Sequence, residues 1–184
     1  PPAPPAFHMI FALPWLKGGR TELLIQKLTE LGAASFVIYA ARREVGRPEA
    51  SKLDRLRRTA VEACKQCERA DPPAVSLAAG LREALEAFHC GPERRLVLAE
   101  RQHESAQLLS AALAALTGSD SDSPKPGGRG RLLVASGPEG GFHPEEMALA
   151  ETLATPVSLG PRILRAETAP LAAAAAILAA GGDL

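Results

Sequence analysis

Two loops hold the residues of this chain that are best suited to chemistry. Residues 132–135 and 156–159 are short apolar runs that predict buried strands. The sequences SGPEGG and GPRILR follow these runs, and helices are expected to begin near Pro144 and at about Thr168. Because ligands of open α/β sheets bind beyond the carboxyl ends of strands, we expect both loops to form one binding site.

The composition of these loops indicates the kind of ligand. Gly137, Gly140, Gly141 and Gly160 lack side chains, so backbone groups can approach a ligand closely. The loops contain neither a Walker motif nor GxGxxG, which disfavours a triphosphate or a dinucleotide. Backbone-lined loops suit the hydrogen-bonding edge of an adenine and a ribose. The alternative interpretation is that the glycines only form tight turns.

Charged residues follow the second strand. Arg162 and Arg165 lie close to Glu167 in the sequence, so cations and a carboxylate are expected at the mouth of the site. The alternative is that these arginines form a solvated surface. One loop alone would leave that alternative favoured, whereas two similar loops in tandem favour a site.

At these residues the sequence resembles the RsmE family, the 16S rRNA (uracil-N3)-methyltransferases of the SPOUT superfamily. The match includes GPEGG at 137–141 and LGPRILRAETA at 159–169. KLTELG at 27–32 and EACKQCER at 62–69, followed by two prolines, match two further family segments in the same order. The resemblance covers roughly residues 10–184. It implies an α/β fold with a C-terminal trefoil knot, an S-adenosylmethionine site in the knot, and a homodimer.

The resemblance places the cofactor among three loops of the chain. The residues expected to bind it are Ala99, Glu100, Gly137, Pro138, Glu139, Gly140, Gly141, Leu159, Gly160, Ile163 and Leu164. Leu159, Ile163 and Leu164 would supply apolar walls, and backbone groups would hold the adenine and ribose.

The implied reaction transfers a methyl group to N3 of a uridine in 16S rRNA of the small ribosomal subunit. The uracil must be unstacked to be reached, and its N3 proton must leave. Glu139 and Glu167 are both candidate bases, and Arg165 can stabilise negative charge on the uracil oxygens. Either glutamate can instead have a structural role, in the loop or in an ion pair.

Substrate contacts are expected from four other residues. Arg43, Gln66 and Arg69 match family segments, and Arg162 belongs to the second loop; the arginines can equally be surface charges. Arg42 stands where the family carries an acidic residue. Because the chain opens with PPAPP, we expect the family's N-terminal RNA-binding domain to be absent. The rival hypothesis is therefore a non-catalytic RNA- or nucleotide-binding dimer that retains the fold.

Composition narrows the class of protein. The 184 residues carry no net charge, but the segment 42–69 has nine basic and five acidic residues, a candidate phosphate-binding surface. Three cysteines argue against a disulfide framework, and one CxxC pair without a second pair argues against a metal site. We expect a cytoplasmic protein, because neither a membrane span nor a secretory signal is evident.

Predicted strands alternate with predicted helices along the chain, which indicates an α/β domain with a mainly parallel sheet and helices on both faces. Residues 1–9 are expected to be a lead-in to a single domain, 10–184. Strands are expected at 9–13, 35–40, 96–99, 132–135 and 156–159, and helices at 21–31, 49–70, 81–88, 105–116, from 144 and at 168–180. The alanine-rich last helix should be buried, against its own sheet or in a dimer interface.

Overall fold

The computed structural model describes residues 6–43, 50–99, 105–118 and 130–184, whose strands form one parallel sheet. The strands are β1 (His8–Pro14), β2 (Ser35–Tyr39), β3 (Ala74–Ala78), β4 (Arg95–Leu98), β5 (Gln107–Leu108), β6 (Arg131–Ala135) and β7 (Thr155–Ser158). Their spatial order is β3-β2-β1-β6-β4-β7-β5, and every neighbouring pair runs parallel.

Helices cover both faces of this sheet. They are α1 (Arg20–Glu30), α2 (Ala50–Gln66), α3 (Leu81–Glu86), α4 (Leu109–Gly118), α5 (Pro144–Leu153) and α6 (Thr168–Gly181), with one turn of 3₁₀ helix at Pro92–Arg94. Apolar residues of α1, α2, α4 and α6 share one core cluster, and those of α3 and α5 share the other. The predicted fold class, an α/β sheet with helices on both faces, is confirmed.

The alternation of side chains along the central strands explains the two cores. In β1, Met9, Phe11 and Leu13 belong to the cluster on one face, whereas Ile10 and Ala12 belong to the cluster on the other. The same period of two holds in β2 and β6. A strand that is apolar on both sides is buried on both sides, which is typical of parallel sheets.

Two strands were not predicted from the sequence. β3 is an edge strand that directly follows two prolines and alternates between exposed and buried positions, and β5 contains only two residues, both exposed. β5 also takes the start of the helix predicted at 105–116, which begins at Leu109. The predicted lead-in is too long, since Phe7 is buried and His8 begins β1.

The last helix is less enclosed than its composition predicts. Its buried side is formed by Pro170, Ala173, Ala174, Ile177 and Leu178. The intervening alanines are only partly buried, and the helix packs on α1, α4 and β6. An apolar strip of α6 therefore remains accessible in the single chain.

Arg69 stabilises the amino edge of the sheet. Its Nη1 donates to the carbonyl oxygens of Thr29 at 2.7 Å and of Ala33 at 2.9 Å, which lie between the end of α1 and the start of β2. Because each end of the sheet collects the same ends of all parallel strands, this contact lies opposite the carboxyl edge. The side chain adds a charged donor to both carbonyls, of which that of Thr29 also accepts from the Gly32 amide at 3.1 Å.

We expect Arg69→Ala to lower the free energy of unfolding by about 1–3 kcal/mol, because both carbonyls lose a charged donor. Chemical denaturation of the variant measures this loss. Arg58→Ala is the matched control, because Arg58 is exposed on α2 and its replacement should change stability by less than about 0.5 kcal/mol. Equal denaturation midpoints for the two variants would contradict the structural role of Arg69.

Candidate functional site

A cleft of about 570 Å³ lies at the carboxyl edge of the sheet. The β6–α5 loop (136–143) and the β7–α6 loop (159–167) form its two sides, and Ala99 after β4 and Arg20 at the start of α1 complete it. Because the strands are parallel, the loops that follow β6, β4 and β7 converge on this edge.

Most of the residues predicted for the site line this cleft. They are Ala99, Gly137, Pro138, Glu139, Gly141, Leu159, Gly160, Arg162, Ile163, Leu164, Arg165 and Glu167. Glu100 lies outside the described residues. The cleft also contains residues that the sequence analysis missed, among them Arg20, Ser136, Phe142 and Ser158.

The β6–α5 loop is fixed from beneath by buried hydrogen bonds. The Tyr39 hydroxyl donates to the Ser136 carbonyl at 2.7 Å, and the Ser136 amide donates to the Ala12 carbonyl at 3.1 Å. A turn then brings the Gly141 amide to 2.9 Å from the Pro138 carbonyl, and Gly141 has φ 69°, in the region that glycine tolerates. The start of the loop is therefore anchored on the sheet, and its middle is closed by a turn.

The glycines of this loop have different surroundings. A Cβ on Gly137 would lie 3.1 Å from the Phe142 ring, so the loop closes tightly there. Gly140 does not line the cleft: a Cβ on it would lie 3.6 Å from Cβ of Arg43, and its carbonyl accepts from Arg43 Nη1 at 2.8 Å. Gly140 was predicted to bind the cofactor, but it is not among the residues that line the cleft.

The segment after β2 is tied to the start of α5. The Glu146 carboxylate is buried and accepts from the backbone amides of Arg42 at 2.9 Å and His143 at 3.0 Å. Arg42 also forms an ion pair with Glu145. Arg43 was expected to face substrate. Its side chain is exposed, but its Nη1 donates to the Gly140 carbonyl of the loop.

The β7–α6 loop is shaped by a hydroxyl turn and a helix start. The Ser158 hydroxyl accepts from the Gly160 amide at 3.2 Å, and Gly160 has φ 101°. At the other end the Arg165 carbonyl accepts from the Thr168 and Ala169 amides. Between these anchors Ile163 is 84% exposed, so it forms a rim of the cleft rather than the expected buried wall.

Three charged side chains meet where the two loops approach α1. Arg20 Nη2 lies 2.9 Å from Glu139 Oε1, and Arg20 Nη1 lies 3.8 Å from Glu167 Oε2. Glu167 Oε1 lies 3.9 Å from Arg165 Nη1, whose side chain is 84% exposed. The structure thus brings the predicted carboxylates Glu139 and Glu167 together around an arginine that was not predicted.

Arg20 carries a signal that the sequence does contain. It follows Lys17-Gly18-Gly19, which is separated by three residues from the end of the first predicted strand, and both glycines have positive φ. A glycine turn after a strand marked the other two loops of the site. The same reasoning applied to β1 would have included Arg20.

Gln66 and Arg69 lie away from the cleft. α2 starts after the carboxyl end of β2 and ends before the amino end of β3, so its last residue, Gln66, is exposed near the opposite edge. The Arg69 guanidinium donates hydrogen bonds to two backbone carbonyls at that edge. Within one chain, neither residue can contact a substrate held in this cleft.

Four of the eight basic residues that the structure describes in the segment 42–69 form ion pairs with described acidic residues, Arg42 among them. Arg55 forms an ion pair with Glu22 at 3.2 Å, Arg57 with Asp54 at 3.4 Å, and Lys65 with Glu62 at 2.8 Å. These exposed pairs reduce the free positive charge available to phosphates. The segment is a weaker candidate for a phosphate-binding surface than its composition predicts.

The cysteine pair of α2 has local partners. The Cys64 sulfur lies 3.7 Å from the Asp71 carbonyl, and burial raises the pKa of the Cys64 thiol. Within the ranges that the structure describes, no three His, Cys, Asp or Glu side chains are grouped to hold a metal ion. Within the same ranges, no helix is long and apolar enough to cross a bilayer.

The chemistry of the cleft fits a nucleoside with an attached charged group. Glycine-rich backbone and the apolar side chains of Leu159 and Leu164 can enclose a flat base. At the end of β6 the Ser136 hydroxyl is buried, and the described residues offer it no hydrogen-bond partner. Carboxylates and guanidinium groups at the mouth can move a proton and stabilise an anion.

A parallel α/β sheet with such a cleft at its carboxyl edge defines a class of ligand-binding and transferase domains. Residues 3–178 match the model of the RNA methyltransferase domain family, and the chain belongs to that family.

Curated relatives carry one name. The chain is 37% identical over 170 residues to the ribosomal RNA small subunit methyltransferase E of Synechocystis, covering 92% of this chain and 52% of the relative. It is 34% identical over 168 residues to the protein of that name from Bacillus subtilis, covering 88% of this chain and 61% of the relative. The chain therefore spans about half to three fifths of the length of these relatives.

Solved structures agree with the fold. A Legionella pneumophila methyltransferase in complex with the cofactor SAM superposes with a TM-score of 0.76 at 26% identity, covering 96% of this chain and 67% of that chain. Ribosomal RNA small subunit methyltransferase E of Neisseria gonorrhoeae, bound to S-adenosyl methionine, gives 0.73 at 29% identity, covering 93% of this chain and 66% of that chain.

Proposed function

We propose that this chain is the catalytic domain of an S-adenosylmethionine-dependent methyltransferase that acts on N3 of a uridine in 16S rRNA. The observation that carries the proposal is the cleft between two glycine loops at the carboxyl edge of the sheet, in a member of the RNA methyltransferase domain family. The relatives named for the small ribosomal subunit support the choice of RNA.

The residues of the cleft fit the cofactor. Backbone groups of Gly137, Gly141 and Gly160 can contact the adenosine, and Leu159 and Leu164 can pack on the adenine. The buried Ser136 hydroxyl has no partner among the described residues, so it can pair with a polar ligand atom. When bound, the cofactor supplies a methyl group activated on a positively charged sulfur. The Ala99, Pro138 and Ile163 positions extend the same surface.

S-adenosylhomocysteine should raise the melting temperature of the chain. At a hundredfold excess over the dissociation constant, a ligand of the native state adds about 2.7 kcal/mol, or about 5–10 °C for a domain of this size. Gly137→Val should abolish the shift, because its side chain pushes the Phe142 ring into the cleft.

Gly140→Ala is the matched control, because its Cβ meets Arg43 at ordinary contact distance and points away from the cleft. Differential scanning fluorimetry with and without ligand gives the comparison. The absence of any shift at millimolar ligand would contradict the cofactor assignment.

The reaction requires a base and an anion stabiliser beside the bound uracil. Glu139 and Glu167 line the cleft and are the candidate proton acceptors. Arg165 projects from the β7–α6 loop with a largely free guanidinium, which can hold the negative charge that develops on the uracil oxygens. Much of the acceleration comes from aligning N3 with the methyl group. Arg162 lines the cleft, and the exposed Arg43 contacts the β6–α5 loop at the Gly140 carbonyl; we assign both to RNA contact.

Arg165→Ala should reduce methyl transfer by about a hundredfold or more, the usual effect of losing one preorganised donor to a developing anion. Cofactor affinity should change little, since the side chain is mostly exposed. Arg165→Lys should restore little activity, because an ammonium lacks the planar bidentate geometry.

The assay is single-turnover methylation of small ribosomal subunits that lack the modification, with protein in excess so that weak RNA affinity does not limit the rate. Arg58→Ala on α2 is the control. If Arg165→Ala transfers methyl at the unsubstituted rate, Arg165 is a surface residue. If the unsubstituted chain binds the cofactor but transfers no methyl, the rival hypothesis of a non-catalytic RNA- or nucleotide-binding dimer is favoured.

Two further features belong to this proposal. The β7–α6 loop returns the chain from β7 across β4 to pack α6 on β6, a path compatible with a C-terminal trefoil knot. An experimental structure whose backbone passes through no loop would contradict the knot. A ribosomal substrate supports a cytoplasmic location, which cell fractionation tests.

We also propose a homodimer that buries the accessible alanine strip of α6. Small side chains permit close approach of two helices, and the strip is only partly covered within the described residues. Sedimentation equilibrium should give about twice the 19.3 kDa of one chain. A single species of one chain mass at tens of micromolar would contradict the dimer.

A further inference from the structure

The two carboxylates of the cleft differ in their partners. Glu139 Oε1 lies 2.9 Å from Arg20 Nη2, so it is engaged in a direct ion pair. Glu167 has an Oε2 that is buried and lacks a hydrogen-bond partner among the described residues; the nearest guanidinium nitrogen of Arg20 is 3.8 Å away. Of the two candidate bases, only Glu167 presents a buried acceptor whose hydrogen bond is still to be made.

Arg20 is oriented by the scaffold rather than by the loops. It is the first residue of α1, and its Nε donates to the Lys17 carbonyl at 3.0 Å. Gly19 precedes it with φ 76° and gives the turn into the helix. The guanidinium is anchored on the turn after β1. Its ion pair with Glu139 therefore fixes the position of Glu139 and of the β6–α5 loop that carries it.

The surroundings of Glu167 keep its carboxylate ionised and leave one oxygen without a hydrogen bond among the described residues. It stands at the N-cap of α6, but its side chain makes no capping hydrogen bond. Arg20 faces it from α1 and Arg165 from its own loop at 3.9 Å, whereas Glu139 lies beyond Arg20 and Arg162 at the rim. The carboxylate is thus placed among cations without being saturated by any of them.

We infer that Glu167 is the base and that Arg20 is a positioning residue, which holds Glu139 and the β6–α5 loop in place. This inference rests on the proposed function. In the step, the uracil N3–H bond breaks and the proton passes to the Glu167 carboxylate, whose side chain is 18% exposed. The N3 electron pair forms the new bond to the methyl carbon, and the carbon–sulfur bond breaks with its electron pair remaining on sulfur.

Glu167→Gln and Glu139→Gln form a matched pair of variants of equal size and charge change. At saturating cofactor, Glu167→Gln should lower the single-turnover rate at pH 7 by about a hundredfold or more, the scale of a lost general base. Glu139→Gln keeps an oxygen that can accept from Arg20, so it should lose less than about tenfold. Affinity for S-adenosylhomocysteine should be nearly equal in both.

The pH dependence separates a base from a structural residue. Without its base, Glu167→Gln must wait for solvent to remove the N3 proton, so its rate should rise by about tenfold per pH unit between pH 7 and 9. Glu139→Gln should follow the shallower profile of the unsubstituted chain. Arg20→Ala should be slower through misplacement of the loop, should keep that shallow profile, and should recover in part as Arg20→Lys.

Thermal stability provides a readout that needs neither cofactor nor RNA. Glu139→Gln removes a direct ion pair of a half-exposed carboxylate and should lower the melting temperature by about 1–3 °C. Glu167→Gln removes two longer ion pairs, at 3.8 and 3.9 Å, and no hydrogen bond from Oε2, so it should lower the melting temperature by less. Fluorimetry of both variants without ligand compares them.

The outcomes are distinguishable. The assignment is overturned if Glu139→Gln shows the larger loss of rate and the steep pH profile, or if both variants lose less than tenfold. It is likewise overturned if Arg20→Ala acquires the steep profile, because Arg20 would then act in the proton transfer itself. If the unsubstituted chain transfers no methyl under the same conditions, the proposed function has failed and the assignment falls with it.

Discussion

Burial of a parallel sheet on both faces is the constraint on which the other features of this protein depend. Strands with apolar side chains on both sides require helices on both sides, and each helix must carry the chain back from the carboxyl to the amino edge. The loops that start these returns therefore gather at one edge. The cleft forms where the loops after β6 and β7 meet the start of α1.

The two edges of the sheet have different physical tasks. At the amino edge the Arg69 guanidinium donates to the carbonyls of Thr29 and Ala33, which is a structural role. At the carboxyl edge a buried hydroxyl of Ser136 and a buried oxygen of Glu167 have no hydrogen-bond partner within the described ranges. A third such atom, Arg95 Nε, belongs to the first residue of β4 at the amino edge, but only Ser136 and Glu167 of the three residues line the cleft. Unsatisfied polar groups cost stability, so two of them in one cleft are typical of a site that a ligand completes.

Much of this arrangement could be predicted from the sequence, because periodicity and glycine turns are local signals. The five predicted strands and the loops that contain Gly137 and Gly160 lie where expected. Tertiary contacts were beyond such reasoning: Gly140 turns toward Arg43, Arg69 reaches a segment some 40 positions earlier, and the edge strand β3 owes its existence to pairing with β2. Local patterns do not record which neighbour a side chain meets.

The buried Glu146 carboxylate joins two stretches of chain that are distant in the sequence. It holds the backbone amides of Arg42 and His143 at the same time, while Arg43 grips the carbonyl of Gly140. The exposed Arg42 and Arg43 are therefore joined by hydrogen bonds to the loop that forms one wall of the cleft. A partner that binds these arginines from outside is thus connected to that wall without entering the cleft.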